Sequence, residues 1–208
     1  MNLVYTAIYG GYDPLWQPKV SEGWEYKCFS NIDLDGGVWD IVQHILELDN
    51  VRASKNVKIK QRFDGYDNVL WVDGSIEIIG DLNEFIGVVP DGDLVISKHP
   101  THNNLNQELK ACIALKKDDE DVMTEQVLGY GEFPEYEFTQ NNIILRRGDV
   151  SKAMDIWWEE VKNKSYRDQL SFGWAMNEAG QKYKTFSQEI AKKYFKWHKY
   201  HKSSRPIT

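Results

Sequence analysis

The run Val69-Leu70-Trp71-Val72 passes straight into Asp73-Gly74-Ser75, and an apolar run resumes at Ile76 with Glu77 its one charge. No other stretch restricts the possible folds as much. Apolar residues in unbroken succession carry no alternation, so they suit a strand covered on both faces. Asp73 then stands at the carboxyl end of that strand. In open α/β sheets ligands bind at that rim. Gly74 lets the backbone turn sharply or lets a ligand approach closely. Asp73 and Ser75 offer hard oxygens suited to a divalent cation. The competing reading is a β-hairpin, because Asp-Gly between apolar runs is a strong hairpin signal that needs no function.

The flanking segments decide between these readings. Residues 3–9 are β-branched and aromatic, a strand pattern, and run into the loop Gly10-Gly11-Tyr12-Asp13-Pro14. A glycine-containing loop after a first strand can cradle a nucleotide, although this is not the GxGxxG fingerprint. Further strands are expected at 24–29 and 38–42, and a helix at 50–63. On that helix Arg52, Lys55, Lys58 and Arg62 fall within about a third of the circumference. Such a face meets either phosphates or solvent. Asp81 can cap a helix over 82–86. A strand at 94–97 ends in Lys98-His99-Pro100, and helices follow at 106–115, carrying Glu108, and at 119–128.

A strand at 142–145 begins with Asn142. Val150, Ala153, Met154, Trp157, Trp158 and Val161 then trace one helix face, whose tryptophans belong to the core. The segment 165–172 opens another helix. Asp168 lies one turn before Phe172 and shares its inward direction, unless it merely caps the helix. Strands alternating with helices predict an α/β fold with a mixed, mainly parallel sheet flanked by helices.

Composition adds bounds. A chain of 208 residues suits one substantial domain. The net charge of −7 argues against a general nucleic-acid binder, but residues 180–208 alone carry about +7. Cys28 and Cys112 sit in apolar surroundings and read as reduced core thiols. The opening residues lack the pattern of a signal peptide, and no run approaches a membrane span, so a cytoplasmic location is expected.

In this order the features resemble a GT-A type glycosyltransferase. More narrowly, the chain resembles the TOD1/MUCI70-like glycosyltransferase-like domain, long catalogued as a domain of unknown function. The segments 5–13, 52–58, 70–76 and 167–172 carry the resemblance. The arrangement is also similar to the family-8 retaining glycosyltransferases, in which a basic helix precedes a strand ending in Asp-x-Asp. A later Asn-bearing strand, an Asp-Gln pair and a C-terminal His follow there. Asn142 and Asp168-Gln169 fit the later positions, whereas Ser75 replaces the second Asp and leaves one anionic ligand fewer.

The resemblance implies a GT-A-like Rossmann-type domain over 1–180 and a basic, aromatic segment over 181–208 folding back on the site as a lid. It implies transfer of a sugar from a nucleotide diphosphate sugar, UDP-linked by preference, to a carbohydrate or other hydroxyl acceptor, with retention. Mn²⁺ or Mg²⁺ would be held by Asp73, Ser75 and His198 or His201. Thr6, Ile8, Tyr9, Gly10 and Asp13 would hold the nucleoside. Arg52, Lys55, Lys58, Asp73 and Gly74 would meet the diphosphate and donor sugar. Asp168 and Gln169 would lie by the donor sugar, and His99, Glu108 and Asn142 would contact substrate. The rival readings are a nucleotide-sugar-binding module without transfer activity and a glycosyltransferase acting on modified DNA bases.

Overall fold

The computed structural model describes residues 1–133 and 137–198. Strands β1 (Asn2–Ile8), β2 (Trp24–Ser30) and β3 (Asp40–Gln43) come first, then helix α1 (Asn50–Lys60) and strand β4 (Asn68–Val72). Next come β5 (Ile76–Ile78), α2 (Leu82–Val88), β6 (Leu94–Lys98), α3 (Leu105–Ala114) and α4 (Glu120–Gly129). The chain continues through β7 (Thr139–Arg146), α5 (Ser151–Asn163), α6 (Asp168–Ala179), β8 (Lys184–Phe186), α7 (Gln188–Tyr194) and β9 (Phe195–Trp197).

Seven strands form one sheet in the order β3-β2-β1-β4-β7-β6-β8. All neighbours are parallel except β7, which runs antiparallel to both β4 and β6. Strands β1, β4 and β6 therefore point the same way. Their carboxyl ends and the amino end of β7 share one rim.

Strand β4 is buried on both faces, as its apolar run predicts. Val69 and Trp71 enter one core cluster, Leu70 and Val72 the other. The first cluster packs α1, α5 and α6 against one face through Val57, Trp157 and Phe172. The second packs α2 and α7 against the opposite face through Phe85 and Tyr194. The alternation follows from the two-residue period of a strand.

The hairpin reading of Asp73-Gly74 does not hold. The Ile76 N–H donates to the Asp73 carbonyl at 2.9 Å, closing a tight turn, but β5 does not pair with β4. It pairs antiparallel with β9 instead. Strand β8 joins the main sheet beside β6, so residues beyond 180 contribute to the sheet as well as to the layer over β5. Among the described residues, no helix is long and apolar enough to cross a membrane.

Candidate active site

The rim of the sheet brings together residues that are far apart in sequence. The Asp73 N–H donates to the Asn142 carbonyl at 2.9 Å and fixes the residue at the end of β4. Its Oδ1 accepts from the Trp71 indole at 2.8 Å and lies 3.2 Å from Lys58 Nζ. Trp71 and Asp73 are two residues apart on an extended chain, so both side chains leave the same face. Gly74 has no left-handed φ. A Cβ there would lie 3.3 Å from Ile8 Cγ1 and 3.4 Å from both the Ala7 carbonyl and Asp13 Oδ2. The absent side chain lets the end of β1 and the Asp13 loop close against the turn.

Lys58 is carried inward by α1 on the face that buries Ala53 and Val57. Its ammonium is 2.8 Å from Asp168 Oδ2, and Lys55 Nζ is 3.1 Å from Asp168 Oδ1. One buried ammonium thus bridges the carboxylates at the end of β4 and the start of α6. Asp168 does not cap its own helix: the N-cap is Arg167, with no side-chain capping bond. Arg167 completes the cluster, interacting electrostatically with Asp168, Cys112 and Glu108.

The electrostatics follow from this crowding. Burial favours a neutral Asp168, but Lys55, Lys58 and Arg167 together override it and hold the carboxyl well below the usual range. Burial likewise opposes charge on Lys58, yet Asp168 and Asp73 raise its pKa overall. Lys55 has less anionic support, and burial pushes it down. Three cations, Lys55, Lys58 and Arg167, are balanced by the carboxylates of Asp73, Asp168 and Glu108, with Lys55 and Lys58 both turned to Asp168 beside the Asp73 turn.

The basic face expected over 50–63 divides, and α1 ends at Lys60, so Arg62 lies beyond the helix. Arg52 pairs with Asp49, donates to the Lys164 carbonyl at 2.9 Å and lies over the Tyr166 ring. Arg62 pairs with Asp155. Only Lys55 and Lys58 of that face reach Asp168.

The first loop lies on the same rim. The Gly10 N–H donates to Asn31 Oδ1 at 2.9 Å, and Asn31 in turn bonds Asn50. The Tyr9 hydroxyl is 2.6 Å from His44 Nδ1. Thr6 and Ile8 are buried within β1, and the Thr6 hydroxyl has no hydrogen-bond partner among the described residues. Asn142 accepts from the Ser97 hydroxyl at 2.9 Å. Gln169 lines a small cavity with Asn104, Leu105, Phe138 and Tyr183.

His198 comes back to the turn through its backbone, donating to the Ser75 carbonyl at 2.9 Å. Its Nε2 lies 2.7 Å from Glu77 Oε2, and its ring stacks on Trp16 with centroids 3.6 Å apart. His201 lies outside the described residues. His99, His102 and Glu108 gather in the loop after β6 and on α3.

Three residues at this rim escaped the sequence reading. Trp71 is a core residue whose two-residue spacing from Asp73 also puts its indole on the Asp73 face. Arg167 stood in the Asp168 motif without a role. His102 lies three residues after His99 and six before Glu108, a spacing that carries a signal only once the loop path is known.

A seven-stranded, mainly parallel sheet flanked by helices, with charged side chains gathered at its carboxyl rim, is an α/β fold of the kind expected. The TOD1/MUCI70, glycosyltransferase-like domain family matches residues 30–201, and the chain belongs to that family. Among solved structures it is similar to the apo form of WbbM, a bifunctional glycosyltransferase, at a TM-score of 0.53 and 12% sequence identity. The match covers 88% of this chain and 38% of that one, so the chain spans well under half of WbbM's length. No curated protein matches it in sequence.

Proposed function

We propose that the protein is a glycosyltransferase that moves a sugar from a nucleotide diphosphate sugar, a UDP-sugar by preference, to an acceptor hydroxyl with retention. The observation that carries this reading is the Lys58 ammonium joining Asp73 at the strand end to Asp168 at the helix start. A diphosphate leaving group gains negative charge as the glycosidic bond breaks. Lys55, Lys58 and Arg167 supply preorganised positive charge beside that position.

A divalent cation, Mn²⁺ or Mg²⁺, fits the chemistry of Asp73. Both fixed partners of its carboxylate use Oδ1, and the side chain remains about one-third exposed. Small divalent cations in such sites often take one or two carboxylates plus substrate phosphates and water. Asp73 would hold it, with Ser75 and His198 next in line. The cation would act as a Lewis acid toward the diphosphate.

Asp168 is too firmly paired with cations to serve as a nucleophile or base. Retention by front-face attack suits such a site. The acceptor hydroxyl adds to the anomeric carbon on the side the diphosphate leaves, and its proton passes to the departing phosphate oxygen. Gln169 and Asn142 would contact the sugars, and the loop from Tyr9 to Asp13 the nucleoside.

A thermal-shift panel of nucleotide sugars, with and without Mn²⁺, tests the proposal. Stabilisation that requires both sugar nucleotide and cation, and that is lost in Asp73→Ala, is expected. Unchanged donor hydrolysis and transfer in Asp73→Ala would reject the cation role.

A further inference from the structure

One group of ionisable side chains has no part in this scheme. His99 and His102 lie in the loop after β6, and Glu108 projects from the first turn of α3. Strand β6 is parallel to β4 in direction, so the group stands on the Asp73 rim. Arg167 interacts with both Glu108 and Asp168 and links the group to the lysine cluster.

The hydrogen bonds fix both imidazole tautomers. The Nδ1 of His99 accepts from the backbone N–H groups of His102, at 2.7 Å, and Thr101, at 3.2 Å. Its proton is therefore on Nε2, which faces Glu108 Oε2 at 3.7 Å. Burial lowers the His99 pKa, and the neighbouring His102 lowers it further against the pull of Glu108. His102 has the opposite tautomer. Its Nδ1 is 2.7 Å from Glu108 Oε2, and a carboxylate accepts, so Nδ1 carries the proton. In the neutral ring the Nε2 of His102 keeps its lone pair, and no hydrogen bond to it is made among the described residues.

The three side chains hold ligand-type atoms within 4.8 Å of one another, the spacing of a cation site. The His99 tautomer argues against that use. A ligating nitrogen must be unprotonated, and the other ring nitrogen of a metal-bound histidine donates. Here that nitrogen accepts twice. Glu108 itself is committed: Oε2 receives the imidazole, and Oε1 accepts from the Cys112 thiol at 3.4 Å. Acceptor contact, expected of His99 and Glu108, therefore falls to His102, whose side chain is one-quarter exposed while theirs are below 10%.

We infer that the Nε2 of His102, oriented by Glu108, receives a hydrogen bond from a hydroxyl of the acceptor, and that the acceptor is an uncharged carbohydrate. This rests on the transfer reading above. A lone pair backed by a buried carboxylate selects a hydrogen-bond donor and disfavours a phosphate or carboxylate at that position. The neighbouring small cavity has room for about a water and not for a sugar ring, so the acceptor would lie across its aromatic walls. Phe138 and Tyr183 wall it, Gln169 reaches it from the Asp168 side, and the Phe138 ring lies 5.6 Å from that of His99. The stacked His99 and His102 rings, 4.2 Å apart, hold the loop in shape.

The test compares wild type with His102→Phe, which keeps an aromatic ring against His99. UDP release from UDP-glucose, UDP-galactose and UDP-N-acetylglucosamine is measured without acceptor and with a panel of methyl glycosides, with products identified by mass spectrometry. Acceptor-dependent release should fall about 10- to 100-fold while acceptor-free hydrolysis stays within about twofold. Unchanged transfer, or hydrolysis falling in step with transfer, overturns the assignment to His102. Hydrolysis by the wild type without transfer to any glycoside overturns the carbohydrate assignment. No UDP release at all overturns the transfer reading itself. A second arm needs no acceptor. Imidazole ¹⁵N NMR of the wild type with the His102 ring neutral should show its proton on Nδ1, and a neutral ring protonated on Nε2 overturns the inference.

Discussion

Lys58 Nζ lies 2.8 Å from Asp168 Oδ2, with both side chains below 5% exposed. The pair joins α1 to α6 beneath the rim where Asp73 ends β4. A buried ion pair rarely adds much net stability, because desolvation offsets the attraction. Its place at the rim proposed to meet the donor therefore fits preorganised charge better than folding energy.

Breaking the pair should be costly in a graded way. Lys58→Met leaves Asp168 with Lys55 and Arg167 but strips Asp73 of its cation. Asp168→Asn leaves Lys55 without its carboxylate while Lys58 keeps Asp73. Each should lose about 3–5 kcal/mol of unfolding free energy, with Lys58→Met the worse, as read by urea titration. A double-mutant cycle should return a coupling of about 1–3 kcal/mol.

The pH dependence has a defined sign. The Asp168 carboxyl is held below its ordinary value in the folded chain, so the unfolded state binds the proton more readily. Its contribution is present above the ordinary carboxyl range and is lost as the pH falls through that range toward the depressed folded value. Lys58 is raised, so its contribution is present below the usual lysine range and fades above it. Wild type should exceed Asp168→Asn in urea midpoint at pH 7, and the gap should shrink by pH 3.

Trp71→Phe removes the indole N–H that anchors Asp73 Oδ1. The ring is 1% exposed, so a cavity and a lost hydrogen bond act together, and stability should fall by about 2–4 kcal/mol. The thermal shift given by sugar nucleotide with Mn²⁺ should also shrink relative to wild type, because Asp73 is no longer held in one orientation.

Gly80→Ala tests how the last strand is seated. A Cβ at Gly80 would lie 2.5 Å from Tyr194 Cδ1 and 2.7 Å from Tyr194 Cα, and the Tyr194 carbonyl accepts from both Ile79 and Gly80. The substitution should loosen α7 and β9 and expose the chain after residue 180 to limited proteolysis, while the sheet core keeps its far-ultraviolet dichroism.

Much of this architecture was legible in the amino-acid order. The apolar runs at Leu70 and Val95 announce strands covered on both faces, and Trp157 and Met154 repeat at a helical interval. The rim residues were legible only in part. Asp-Gly announced a turn but not its consequence, because whether β5 folds back on β4 depends on a competing strand more than a hundred residues later. The basic face of α1 was visible as a stripe. Its division into inward Lys55 and Lys58 and outward Arg52, with Arg62 past the helix end, depends on where α6 and Asp155 dock.

The chain order by itself determined most of the strands and helices before residue 180 and which carboxylate closes the central strand, since those follow from local periodicity and backbone preference, whereas β8, α7 and β9 came only with the structure. Only the tertiary structure decided that Lys58 would bridge Asp73 and Asp168, and that Glu108 would meet the His102 imidazole. Electrostatic and hydrogen-bonding partnerships fall off within a few ångströms, and residues far apart in sequence reach that range only when the layers pack.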